Sequence, residues 1–80
     1  MVEIKILGKG CPKCKRLERM AREAASELEI EATFTKVKAM NEIIGYGATM
    51  TPGLVINEDL KCSGRMPSKE ELRDWLKDKD

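Results

Sequence analysis

Residues 2–7, VEIKIL, place Val2, Ile4 and Ile6 in a two-residue period, add Leu7 and stop at Gly8. Alternation with β-branched residues predicts a strand. From Pro12 the period lengthens. Cys14, Leu17, Ala21, Ala24 and Leu28 recur at three- and four-residue steps, with Met20 and Ala25 beside them. That stripe predicts a helix from Pro12 to about residue 28. Ile30, Ala32 and Phe34 restore the shorter period, so residues 30–37 read as a second strand. MNEIIGY, residues 40–46, reads as a short helix stopped by Gly47. GLVIN and LKCSG follow as two short strands around a turn at Asn57, Glu58 and Asp59, a hairpin. Ser68 and Glu71, behind Pro67, form a capping box, and Leu72, Trp75 and Leu76 are the buried stripe of a last helix.

The resulting order, β-α-β-α-β-β-α, is an α/β fold. Its opening β-α-β places two parallel strands together through a right-handed crossover. The hairpin adds antiparallel strands, giving a four-stranded mixed sheet with helices on both faces. Residues 1–80 suffice for one domain, near the lower limit of what one core stabilises unaided. No apolar run is long enough to cross a bilayer. MVEIKILGKG carries charges where a secretory signal would be apolar, so the cytoplasm is the expected location, and the thiols are expected to be kept reduced there.

A formal net charge of +1 offers no footprint for nucleic acid or a membrane. The distribution says more. Lys5 to Arg22 holds seven basic residues and one acid, whereas Glu23 to Glu31 holds four acids and no base. Helices favour the opposite arrangement, with acids at the start and bases at the end. Glu18–Arg22 and Arg19–Glu23 also read as ordinary pairs on a solvated face. The reversal at Lys9, Lys13, Lys15 and Arg16 has no such structural reading and points to chemistry.

That chemistry lies in GCPKC. Cys11 falls at the helix N-cap, Pro12 at the first helical position and Cys14 at the third. Residues three apart on a helix have Cβ atoms about 5–6 Å apart, and a disulfide needs about 3.5–4.5 Å, so slight tightening would join the sulfurs. N–H groups at a helix start and nearby cations favour a thiolate. Cys11 is therefore the expected nucleophile, and Cys14, on the apolar stripe, the resolving thiol. A disulfide closing so short a loop adds little stability, which argues against a structural staple. A zinc site needs two further ligands, but the chain has no His and only Cys62 besides the pair. Cys62 itself, alternating with Leu60 and Gly64, reads as a small buried hydrophobe, with a third redox thiol or an intermolecular disulfide as the alternative.

Thr51-Pro52 precedes the first strand of the hairpin. Taken with GCPKC, YGATMTPGLVIN and SGRMPSKEEL, in that order across almost the whole chain, it resembles the thioredoxin and glutaredoxin superfamily. Within it, the chain is most similar to small archaeal and bacterial redox-active disulfide proteins. The resemblance implies a thioredoxin-like fold, a cis Thr51–Pro52 bond, and Pro52 packed against Cys11 and Cys14. It also implies Thr51 exposed to pair with an extended substrate, and Gly64 shaping the groove. Pro12, Lys13, Thr51, Pro52 and Gly64 are accordingly the expected substrate-binding residues. The chain departs from the family in places. Gly10 stands where thioredoxins carry an aromatic residue, and Lys5 falls at the spacing of their buried acid, leaving water or Lys13 as the base for Cys14. Residues that hold glutathione in many glutaredoxins are not evident.

These features converge on a monomeric thiol–disulfide oxidoreductase that reduces protein or small-molecule disulfides. It would need no organic cofactor or metal, but a recycling thiol reductase. Two alternatives stand beside it. A copper-chaperone-like module also carries C-x-x-C between a first strand and helix. Against it, this chain ends in a helix and lacks a methionine two residues before Cys11, and Thr51-Pro52 has no role there. The other is an adaptor domain that keeps the fold without the chemistry.

Overall fold

A computed structural model describes residues 2–10 and 12–79, with Asp78 and Lys79 described by their backbone alone. β1 (Val2–Leu7) is paired on both edges. On one side it runs parallel to β2 (Ala32–Val37), with Ile4 opposite Phe34 and Ile6 opposite Lys36. On the other it runs antiparallel to β3 (Gly53–Ile56), which pairs in turn with β4 (Asp59–Ser63). The sheet order is β2-β1-β3-β4. Three helices complete the expected order: α1 (Pro12–Glu27), α2 (Met40–Gly45) and α3 (Lys69–Lys79). The second strand begins at Ala32 rather than at residue 30.

Alternation along β1 divides the interior. Val2, Ile4 and Ile6 join Leu17, Ala21 and Ala24 of α1 and Leu72 and Leu76 of α3 in the larger cluster. Leu7 turns the other way and meets Val37, Ile43 of α2, Ala48 and Val55. Leu17, Leu72 and Leu76 are fully buried, each stabilising the fold by about 2 kcal/mol relative to exposure. Trp75, assigned to the core from its spacing, is half-buried against it.

Two helix ends use the same device with different residues. Gly47, in the left-handed region at φ 93°, donates to Ile44, and Ala48 donates back to Ile43. This is the Schellman closure that the glycine announces. At the end of α1, Glu29 takes the left-handed position at φ 56° and donates to Ser26, while Ile30 donates to Ala25. Ile30 is thus occupied as the closing residue of the helix, which is why β2 starts later. Ser68 and Glu71 form the expected capping box: Ser68 Oγ accepts from the Glu71 N–H at 3.1 Å, and Glu71 Oε1 accepts from the Ser68 N–H at 3.0 Å.

The acids that close α1 have a structural partner. Glu27 pairs with Lys69 at 3.3 Å and with Arg73, tying α1 to α3. The reversed charge of α1 is therefore accounted for at its C-terminal end and not at its start.

In the hairpin, Asn57 and Glu58 both have positive φ, 49° and 70°, and Asp59 already belongs to β4. The loop has two residues, not three. A register shift follows: Leu54 lies opposite Cys62, but Val55 lies opposite Leu60, leaving Lys61 unmatched. This bulge turns Leu60 and Cys62 to opposite faces, correcting the expectation that they share one. Leu60 packs with the α2 cluster and Cys62 with the α1–α3 cluster.

Candidate functional site

Cys11 lies outside the described residues, and with it the expected N-cap, the nucleophile and the closure of the Cys11–Cys14 ring. The neighbouring residues define the site. Cys14 is the third residue of α1 and is 5% exposed. Its sulfur occupies the space above Gly8, just past β1: a Cβ on Gly8 would lie 2.1 Å from Cys14 Sγ and 3.9 Å from Thr51 Cβ. The missing side chain at Gly8 therefore seats the sulfur and brings the Thr51 loop to the same spot. Gly8 is anchored by its N–H to Val37 O at 2.9 Å. Gly10, at φ 86°, makes the left-handed bend leading into the helix.

The second segment has the cis bond that the resemblance implies. The Thr51–Pro52 bond is cis, Pro52 is buried and Thr51 is exposed. Gly64, at φ 77°, donates its N–H to Pro52 O at 2.9 Å. A side chain there would come within 2.9 Å of Met50 Cβ, so a glycine is what lets the two loops lie together. Met50 is 63% exposed beside them, whereas Met66 packs against the core. Pro12 and Lys13 are exposed on the first turn of α1.

The electrostatics are lopsided. The first turn of α1 has no acid, and among the described residues Lys9, Lys13, Lys15 and Arg16 make no ion pair. The loop and strand from Gly47 to Asn57 carry no charge at all.

Lys5 belongs elsewhere. It stands opposite Val55, on the α2 face, whereas Ile6 and Gly8 face Cys14. Its ammonium donates to Glu58 Oε1 at 2.6 Å and to Tyr46 Oη at 2.5 Å, and both contacts raise its pKa above the usual range. Similar spacing in sequence thus put Lys5 on the wrong side of the sheet to replace a buried acid. The carboxylate that does share a cleft with Cys14 is Glu18, one turn further along α1.

Glu18 was readable only as half of a surface pair, and Lys36 and Lys38 carried no signal at all. In the structure Glu18 receives Arg22 Nε at 3.0 Å and Lys36 Nζ at 3.2 Å. Burial pushes its carboxyl up, but these two cations outweigh it and hold the pKa below the usual range. The pattern that would have revealed the grouping is a match of steps. Four residues of helix rise about 6 Å and two residues of strand about 6.6 Å. Arg22 lies over the Phe34 ring at 4.4 Å and Glu18 meets Lys36, and Cys14 and Lys38 line the cleft together.

Cys62 is 7% exposed within the larger cluster, and burial pushes its thiol pKa up, which fits a small core residue. Among the described residues no group of three His, Cys, Asp or Glu side chains could hold a metal. No helix among them is long and apolar enough to cross a membrane.

Comparison with known proteins agrees with this geometry. A family model described as "Thioredoxin domain" matches residues 2–77. A protein named "Thioredoxin" from Methanothermobacter thermautotrophicus is 48% identical over 76 residues, covering 95% of this chain and 99% of that protein. Another of the same name from Methanocaldococcus jannaschii is 39% identical over 77 residues, covering 96% of this chain and 88% of that protein. The copper-chaperone alternative is not favoured by these matches.

Proposed function

The chain belongs to the thioredoxin-domain family and is a thiol–disulfide oxidoreductase, and from that premise we propose that Cys11 is its nucleophile and Cys14 its resolving thiol. The thiolate of Cys11 attacks one sulfur of a substrate disulfide. A Cys11–substrate S–S bond forms, the substrate bond breaks, and the released thiolate takes a proton from solvent. Cys14 then loses its proton and attacks the Cys11 sulfur, forming the Cys11–Cys14 bond and expelling the second substrate thiolate. Two electrons pass to the substrate, and a thiol reductant restores them.

The observation that carries this assignment is the seat of Cys14: a buried sulfur lodged over Gly8, beside Thr51, in the first turn of a helix without acids. A resolving thiol needs that protection, since it must wait for the mixed disulfide rather than meet substrate itself. Thr51 offers an exposed backbone to an extended substrate segment, Pro52 and Gly64 shape the floor beneath it, and Pro12 and Lys13 form the rim on the helix side. Residues 1–80 act as one monomeric domain in the cytoplasm, on protein as well as small disulfides, with a thiol reductase as the recycling partner.

The test is disulfide reduction with trapping of the intermediate. Cys11→Ser abolishes turnover, while Cys14→Ser accumulates a mixed disulfide visible by intact mass. Turnover by Cys11→Ser equal to that of the unaltered protein would overturn the assignment.

A further inference from the structure

The two flanks of Cys14 differ in character. On one side the Thr51 loop is uncharged. On the other, a cleft of about 80 Å³ opens between the start of α1 and the end of β2, and it reaches Gly10 and Cys14. Its remaining polar lining is Lys15, Glu18, Lys36 and Lys38. Lys36, near the end of β2, and Lys38, just past it, both line it. Three ammonium groups thus meet one carboxylate, and that carboxylate is already matched by Arg22 and Lys36.

We propose that this cleft is an anion subsite, and that the preferred substrates are low-molecular-mass disulfides carrying a carboxylate or similar oxyanion within a few bonds of the scissile sulfur. The inference rests on the thiol–disulfide reading above and adds the substrate class to it. Three features support it. The cleft reaches both Cys14 and Gly10, the residue that precedes Cys11 in the chain. Arg22 lies over Phe34 and Glu18 meets Lys36, and beyond them Cys14 and Lys38 line the one cleft. Its volume of about 80 Å³ leaves room for an oxyanion on a short stem.

The experiment measures second-order oxidation of the reduced protein by three symmetrical disulfides of similar length. They are 3,3′-dithiodipropionate (anionic), bis(2-hydroxyethyl) disulfide (neutral) and cystamine (cationic). At low ionic strength the anionic reagent is expected to react about tenfold faster than the cationic one after correction for their intrinsic rates, and salt narrows the gap. Lys36→Gln and Lys38→Gln each lower the anionic-to-neutral ratio by about threefold, while Lys77→Gln, on α3, leaves it unchanged. Suberate, a dicarboxylate of matching length with no sulfur, shifts the backbone amide resonances of Gly10, Lys15 and Lys38.

A ratio that survives loss of both lysines overturns the subsite, as does equal slowing of anionic and neutral reagents, which would mean that the cations act on the thiols. Failure of suberate to perturb those amides also overturns it. Failure of the protein to react with any of the three is a different result, since it removes the thiol–disulfide reading itself.

Discussion

Replacing Gly8 by Ala tests how the resolving sulfur is held. Gly8 is not in the left-handed region, so the substitution costs nothing in backbone conformation; the obstacle is the added methyl. It would sit 2.1 Å from Cys14 Sγ and 3.3 Å from Cys14 Cβ, while ordinary contact begins at 3.4 Å. The sulfur must therefore retreat by about 1.3 Å. Cys14 is buried and its helix is packed against α3 and β1, so neither can give way freely. Overpacking of this kind costs about 1–3 kcal/mol, readable as a lower urea midpoint at unchanged slope. Function should fall further than stability. A shift of about 1 Å in a reacting group slows a step by about 10²-fold. The affected step is resolution, so the mixed disulfide should persist in quenched samples while its formation is less affected. Gly45→Ala is the matched control: in α2 an added Cβ meets nothing within 4 Å, and the change should be neutral or stabilising by up to about 1 kcal/mol. A Gly8→Ala protein with unaltered stability and unaltered resolution would show that the close seat over Gly8 does not hold the sulfur.

Two further expectations concern stability. Arg65 grips the Glu71 carboxylate at 3.0 and 2.8 Å and the Ser68 N–H adds to it, holding its pKa at about 2 against an ordinary 4.5. A lowered folded-state pKa gives stability that is complete above 4.5 and is lost as pH falls from 4.5 towards 2. Urea midpoints should decline across that window, and Glu71→Gln should flatten the decline; an identical slope in the variant refutes the linkage. Glu29→Gly should stabilise the fold by about 0.5–1 kcal/mol, because glycine takes the left-handed position without the steric cost borne by Glu. Chemical denaturation showing no gain would mean that Glu29 is compensated by contacts it makes elsewhere.

The elements themselves were legible because each rests on a local rule. VEIKIL alternates as a half-buried strand must, and Leu72 and Leu76 fall on one stripe of a capped helix. GCPKC placed Cys14 in the first turn of α1, and Thr51-Pro52 marked the loop that meets it. Gly47 announced a helix end because a glycine is the usual residue there. Glu29 closes α1 by the same hydrogen bonds and gave no sign, since its αL conformation is imposed by the packing of Ile30 and the turn into β2.

What lay beyond local rules was decided by how the elements face one another. The bulge at Lys61 reversed the side on which Leu60 packs, and no residue type there betrays it. Lys5 matched a family spacing yet turned to Tyr46 and Glu58, because alternation along β1 assigns sides and a count of residues to Cys11 does not. Lys36 and Lys38 became neighbours of Cys14 only when α1 was laid across β2, with helical steps of four falling against strand steps of two. The chain alone determined which residues carry the sulfur chemistry and which segments bury themselves, because both follow from side-chain type and period. Only the folded sheet could decide what surrounds those sulfurs, because that depends on contacts between residues far apart in the chain.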